Sequence, residues 1–185
     1  MNRGRSVPYI AGAVGAVLIA FLVVLAMAKS GDSESASSPL LGKPAPAVKS
    51  TTLDGGTFDL SHRKGSWVVL NFFNSTCVPC RQEHPLLVDF VKEQQVSNNA
   101  VELYTIVNDD SDGAVTAFFE TNGGKWPVVR DDDGAISVAF GVAKVPESWV
   151  IDPNGFVRLR IMGALTKGFL TARLDELKTQ FAGGQ

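Results

Sequence analysis

The chain has 185 residues, 45% of them hydrophobic, and a formal net charge of −2. That balance gives no electrostatic footing for nucleic acid, and two cysteines are too few for the disulfide framework of a small secreted domain. The length allows one targeting or membrane segment plus a single domain of roughly 140 residues.

Residues 1–9 carry Arg3 and Arg5 and no acidic residue. Residues 10–28 read IAGAVGAVLIAFLVVLAMA, 19 positions without a charge, close to the roughly 20 that cross a bilayer as a helix. The two arginines put residues 1–9 on the cytoplasmic side and send the rest across. The run is longer than the about 7 to 15 residues of a signal-peptide core, which favours an uncleaved anchor. Ala26-Met27-Ala28 keeps cleavage as the alternative, and the domain is then secreted. Either way it faces the extracytoplasmic side. Residues 29–41, KSGDSESASSPLL, are mostly small and polar and predict a flexible tether.

Residues 42–185 predict one domain. Val48 to Thr51 and Thr57 to Leu60 flank Asp54-Gly55-Gly56, a hairpin signal. Ser66 to Asn74 is almost wholly apolar, the mark of a strand buried on both faces. Arg81 to Gln95 predicts a helix with Leu86, Leu87, Phe90 and Val91 on one side. Val101 to Val107 is the next strand, Ala114 to Glu120 a short helix, and Trp126 to Val129 a short extended segment. Asp131-Asp132-Asp133-Gly134 is a charged turn with nothing nearby to complete a calcium loop. Ser148 to Ile151 and Phe156 to Ile161 are strands joined by the turn Asp152-Pro153-Asn154-Gly155. Thr166 to Phe181 is a last helix with Leu170, Leu174 and Leu177 inward. This alternation followed by a hairpin predicts an α/β domain, with a mixed sheet between helices.

The only two cysteines are Cys77-Val78-Pro79-Cys80, between the buried strand and the first long helix. Disulfide exchange needs an accessible thiolate, and a free thiol, with a pKa of about 8.5, is mostly protonated at neutral pH. A helix N-terminus favours negative charge, so Cys77 is the expected attacking thiol and Cys80, one turn further in, the resolving one. Pro79 stiffens the first turn without losing a helical hydrogen bond. A structural zinc site needs about four ligands, more than these cysteines and two histidines promise. A static disulfide spanning three residues closes almost no loop.

Several separated motifs in this order resemble the membrane-anchored TlpA/ResA/CcmG group of thioredoxin-like proteins. They are Gly42-Lys43-Pro44-Ala45-Pro46, Leu53-Asp54-Gly55-Gly56, Val69-Leu70-Asn71-Phe72, Cys77 through Pro85, Gly141 through Asp152, and Gly163. The resemblance implies a thioredoxin-like fold with an extra N-terminal hairpin, and thiol-disulfide oxidoreductase activity with no cofactor beyond the Cys77–Cys80 redox disulfide. It implies that Pro146 is a cis-proline facing the cysteines, with Val145 offering its backbone to an extended substrate. Glu83, three residues after Cys80, is implied to tune a thiol and pass protons to it. Glu147 is implied to sit beside the active site. Asn71 stands where thioredoxins carry a proton-accepting aspartate, which hands proton transfer to Glu83 or Glu147. Thr76 stands where a tryptophan usually lies against the substrate. His84 is expected to point to solvent, and Trp126-Pro127 to pack.

The function implied is reduction of client disulfides, apocytochrome c CxxCH among them. A CcdA- or DsbD-like membrane thiol carrier would be the electron donor and the working form a monomer. An oxidant or isomerase is the alternative in the same class. A copper chaperone is the alternative outside it, disfavoured because such proteins space their cysteines CxxxC and no histidine follows His84. A thiol peroxidase is disfavoured because Cys77 lacks the Pro-x-x-x-Thr/Ser-x-x-Cys context.

Overall fold

A computed structural model describes residues 14–21, 23, 34–97 and 100–183. The chain divides into two compact units, Met1–Gly31 and Asp32–Gln185. In the first, residues 14–21 and 23 are helical; the rest of the expected anchor, with 1–9 and 29–33, lies outside the described residues. Among the described residues no helix is long and apolar enough to cross a membrane.

The second unit runs β1 (Glu34–Ser35), β2 (Lys49–Thr51), β3 (Thr57–Asp59), a 3-10 turn (Leu60–Arg63), β4 (Trp67–Phe73), α1 (Val78–Gln95), β5 (Val101–Val107) and α2 (Asp112–Asn122). It continues through β6 (Val128–Arg130), α3 (Ala135–Phe140), β7 (Glu147–Ile151), β8 (Val157–Met162) and α4 (Phe169–Gly183). The main sheet has the order β1-β8-β7-β4-β5-β6, and β2 and β3 form a separate hairpin. β5 is parallel to β4 and β6. The β4–β7, β7–β8 and β8–β1 contacts are antiparallel. A parallel pair needs a crossover, and α1 supplies it between β4 and β5.

All seven residues of β4 are buried, and their alternation builds both sides of the core. Trp67 and Val69 pack with Leu87 and Phe90 of α1 and with Leu170 and Leu174 of α4. Phe73, on the same face, packs with Cys80 of α1 and with Val115 and Phe118 of α2. Val68, Leu70 and Phe72 face the other way, against Phe58 of the hairpin, Ile136 and Phe140 of α3, and Trp149. Each such side chain contributes about 1.5–3 kcal/mol by leaving water. Asn71 is the one polar residue in the strand, and its odd position turns it toward α1.

One expectation is corrected. The segment 29–41 is not a free tether along its described part. β1 pairs with β8, Ala36 N–H donates to the Arg160 carbonyl at 2.9 Å, and Leu40 and Leu41 pack on the core beside Trp149. Without β1, β8 would present an open edge, and the run's polar composition concealed the two leucines at its end. The acidic turn forms as expected, with Gly134 N–H donating to the Asp131 carbonyl at 2.9 Å, and leads into α3, a helix the sequence did not predict. The Asp131 carboxylate accepts from Ile136 N–H at 2.7 Å and Ser137 N–H at 2.8 Å, satisfying donors that the first turn of α3 leaves open.

Candidate active site

β4 delivers the chain into a pinned loop. The Asn74 side-chain oxygen accepts from Thr76 N–H at 2.9 Å and from Thr76 Oγ1 at 2.6 Å. Its amide donates to the Asp109 carbonyl at 2.8 Å, and Ser75 N–H donates to Asp110 at 2.5 Å. Cys77 follows as the N-cap of α1, and its sulfur accepts from Cys80 N–H at 3.2 Å. The helix therefore begins at Val78 with the cysteine itself capping it, as expected of Cys77 at a helix N-terminus, although the helical periodicity showed only from Arg81. Cys77 and Cys80 are joined in a disulfide with their Cα atoms 5.3 Å apart. Cys77 is half-buried, whereas Cys80 is fully buried against Phe73, Phe118 and Val115. Only Cys77 is within a partner's reach.

Cys77 opens into a cleft of about 380 Å³ with Thr76, Asn108, Ser137, Ala143 and Val145 on its walls. The Val145–Pro146 peptide is cis, and the Pro146 carbonyl accepts from Gly163 N–H at 3.0 Å. The structure thus brings Thr76, Cys77 and Val145 together on one cleft from two segments far apart in the chain, with the cis-proline next to Val145 in sequence. A larger cleft, about 730 Å³ between Leu53, Phe119 and Trp126, includes neither cysteine. Trp126 packs there, donating from its indole to Thr105 Oγ1 at 2.8 Å.

Glu83 lies one turn beyond Cys80 and is 1% exposed. Its Oε1 accepts from the Asn71 amide at 2.8 Å and its Oε2 from Leu165 N–H at 2.7 Å. Burial pushes its carboxyl up from 4.5 to about 7, against the pull of the two hydrogen bonds. Because the folded value lies above the unfolded one, the stability that Glu83 contributes is whole below pH 4.5 and is lost as pH rises through 7. Glu83→Gln is therefore expected to stabilise the protein at pH 8 by on the order of 2 kcal/mol. Below pH 4.5 that gain disappears. Thermal melts of both proteins at the two pH values check this.

The structure does not put Glu147 beside Glu83. Glu147 opposes Phe72 across the β4–β7 ladder, while its neighbour Ser148 opposes Asn71. Side chains alternate between sheet faces, so Glu147 lies on the face away from α1. There it takes two hydrogen bonds from the Arg160 guanidinium, at 2.9 and 3.0 Å, and one from the Trp149 indole at 2.7 Å. The resemblance implied that Glu147 sits beside the active site; strand alternation puts its side chain on the other sheet face from Glu83. Arg160 gave no sequence signal of its own.

His84 is also corrected. It is 1% exposed rather than solvent-facing. Its ring stands edge-on to Phe118 and Phe119, with centroids at 4.8 and 5.0 Å. Its Nε2 lies 2.8 Å from the Gly123 carbonyl oxygen. Burial holds this imidazole below its ordinary value. The helical step of four from Cys80 could have shown that His84 faces inward.

A capped, half-exposed cysteine bonded to a buried one, on a mixed sheet flanked by helices, defines a thioredoxin-like thiol-disulfide oxidoreductase. The sequence pattern of the AhpC/TSA family matches residues 41–160. The chain is 34% identical over 137 residues to the thiol-disulfide oxidoreductase ResA of Bacillus thuringiensis (strain Al Hakam), covering 74% of this chain and 78% of the relative. It is 30% identical over 152 residues to the thiol:disulfide interchange protein HelX of Rhodobacter capsulatus, covering 80% and 83%. Among solved structures, a thiol:disulfide interchange protein of the thioredoxin family from Chlorobium tepidum superposes with a TM-score of 0.61 at 28% identity, covering 72% and 92%. The chain belongs to the AhpC/TSA family, within its TlpA/ResA/CcmG group of thiol-disulfide oxidoreductases. Proteins of this group act on protein thiols and disulfides.

Proposed function

We propose that the protein is a reductant of client disulfides on the extracytoplasmic side of a membrane, with CxxCH segments of apocytochrome c among its clients. In the dithiol form, the Cys77 thiolate attacks one sulfur of the client disulfide. A Cys77–client bond forms and one client thiolate leaves. Cys80 passes its proton to the Glu83 carboxylate and attacks Cys77 sulfur, which closes the Cys77–Cys80 disulfide and frees the second client thiolate. Two electrons reach the client, and a membrane dithiol carrier restores the dithiol. The observation that carries this reading is the pairing of a reachable, helix-capped sulfur with a buried one backed by a buried carboxyl. Thr76 and Val145 line the approach, and the cis Val145–Pro146 peptide would offer its backbone to an extended client segment.

An exported domain that donates electrons needs a low potential. Thioredoxin stands at about −270 mV and a strong oxidase at about −120 mV. Equilibration with glutathione and dithiothreitol buffers is expected to give a value nearer the first, with efficient reduction of a CxxCH peptide disulfide. A value near that of the oxidase, with oxidation of reduced peptides, would reverse the direction of electron flow. Residues 10–28 are assigned as the anchor that holds the domain at the membrane. Retention of the full chain in the membrane fraction after alkaline washing tests that assignment, and release as a shorter species identifies cleavage.

A further inference from the structure

Asn71 poses a physical question. It is 0% exposed in the middle of a wholly buried strand. Its amide group donates twice, to Glu83 Oε1 at 2.8 Å and to Ser148 Oγ at 3.1 Å. Its oxygen Oδ1 is buried with no hydrogen-bond partner among the described residues. A buried acceptor left unpaired is costly, so the orientation of the amide is not set by its oxygen. The other orientation would point Oδ1 at a carboxylate oxygen, which repels it whenever Glu83 is ionised. The nitrogen side, which meets both Glu83 and Ser148, decides the rotamer.

We propose that Asn71, anchored by Ser148, is a positioning residue of the exchange reaction that holds the Glu83 carboxyl ready as a base one helical turn beyond Cys80. The inference rests on the reading of Glu83 as proton acceptor but makes a claim of its own. Three chain segments meet at this carboxyl. β4 brings Asn71, α1 brings Glu83, and the segment after β8 brings Leu165 N–H. Ser148, two residues after the cis-proline and directly opposite Asn71 in the ladder, ties the amide to the strand that borders the Cys77 cleft. An amide cannot take a proton as a carboxylate can, but it can donate to the charged form of its neighbour and so favour that form. Without that donor, burial acts on Glu83 less opposed. The carboxyl then stays protonated to higher pH and cannot receive the Cys80 proton. Ser148 acts one step back. Its hydroxyl accepts one amide hydrogen, which keeps the amide plane aligned so that the other hydrogen reaches Glu83.

The test is a carboxyl carbon-13 titration of Glu83 in the full-length oxidised protein, assigned by loss of the signal in Glu83→Gln. Asn71→Leu, close in volume and without a donor, is expected to raise the Glu83 midpoint by about one unit. Ser148→Ala is expected to raise it by a smaller step in the same direction, and keeps the test alive if leucine at 71 impairs folding. Unmoved midpoints in whichever of these variants fold overturn the proposal, whatever happens to activity. A parallel pH profile of peptide-disulfide reduction separates the two claims. A shifted titration accompanied by an upward shift of the exchange profile, absent when Glu83→Gln is already present, supports both. A shifted titration with an unchanged exchange profile upholds the hold on Glu83 but overturns its part in exchange, and with it the reading of Glu83 as proton acceptor.

Discussion

Cys77→Ser is expected to abolish disulfide exchange to background, whereas Cys80→Ser is expected to stall it half-way. A serine hydroxyl at the helix cap does not ionise at neutral pH, so no nucleophile remains where a client can reach. The second outcome follows from burial. Cys80 is sealed beneath Phe73 and Phe118, so a client sulfur cannot meet it directly and its only partner is Cys77. With serine at 80 the first attack proceeds and the Cys77–client bond has nothing inside to release it. Clients then accumulate as covalent adducts that disappear on reduction. Non-reducing gels and mass spectrometry of the adducts check this and name the clients. Adducts on Cys77→Ser with none on Cys80→Ser would exchange the roles of the two sulfurs and contradict the burial pattern.

Glu147→Ala is expected to cost about 3–5 kcal/mol of stability, the range for breaking a buried ion pair from one side. The carboxyl is 1% exposed and the Arg160 side chain 16%. Removing it leaves the buried Trp149 indole N–H without its acceptor and the partly exposed Arg160 guanidinium with only the Ser37 carbonyl as acceptor among the described residues. For a domain of this size the loss corresponds to roughly 10 °C or more in melting temperature. Glu147→Gln retains an acceptor for the indole and is expected to cost less. The pH profile of exchange should be unchanged in both, because this carboxyl is on the sheet face away from Glu83. Calorimetry and exchange assays at several pH values decide. A moved pH profile with intact stability would return Glu147 to the reaction.

How the two glutamates came to be separated shows where the chain's order ceases to inform. Both follow a motif residue closely, Glu83 after Cys80 and Glu147 after Pro146; spacing made Glu83 a candidate, and the family resemblance implied Glu147. Helical spacing is dependable over one turn, so Glu83 fell on the inward face with Cys80. Strand spacing is binary, and which parity faces α1 depends on how β7 registers against β4, a contact between residues 77 positions apart. Asn71 stood out in the sequence as an amide in place of an aspartate. Its partner Ser148, and the Leu165 N–H that meets Glu83, were invisible because they come from distant segments.

The sequence by itself determined the buried strand, the cysteine pair at its end and the helix behind it, since periodicity, turn chemistry and short motifs are local properties of the chain. The tertiary structure alone decided which polar groups meet. It turned Glu83 toward Asn71, paired Glu147 with Arg160, closed aromatic rings around His84 and drew Glu34 and Ser35 into the sheet. Those outcomes depend on strand register and on the burial of polar atoms. Both are settled only when segments remote in sequence exclude water from one another.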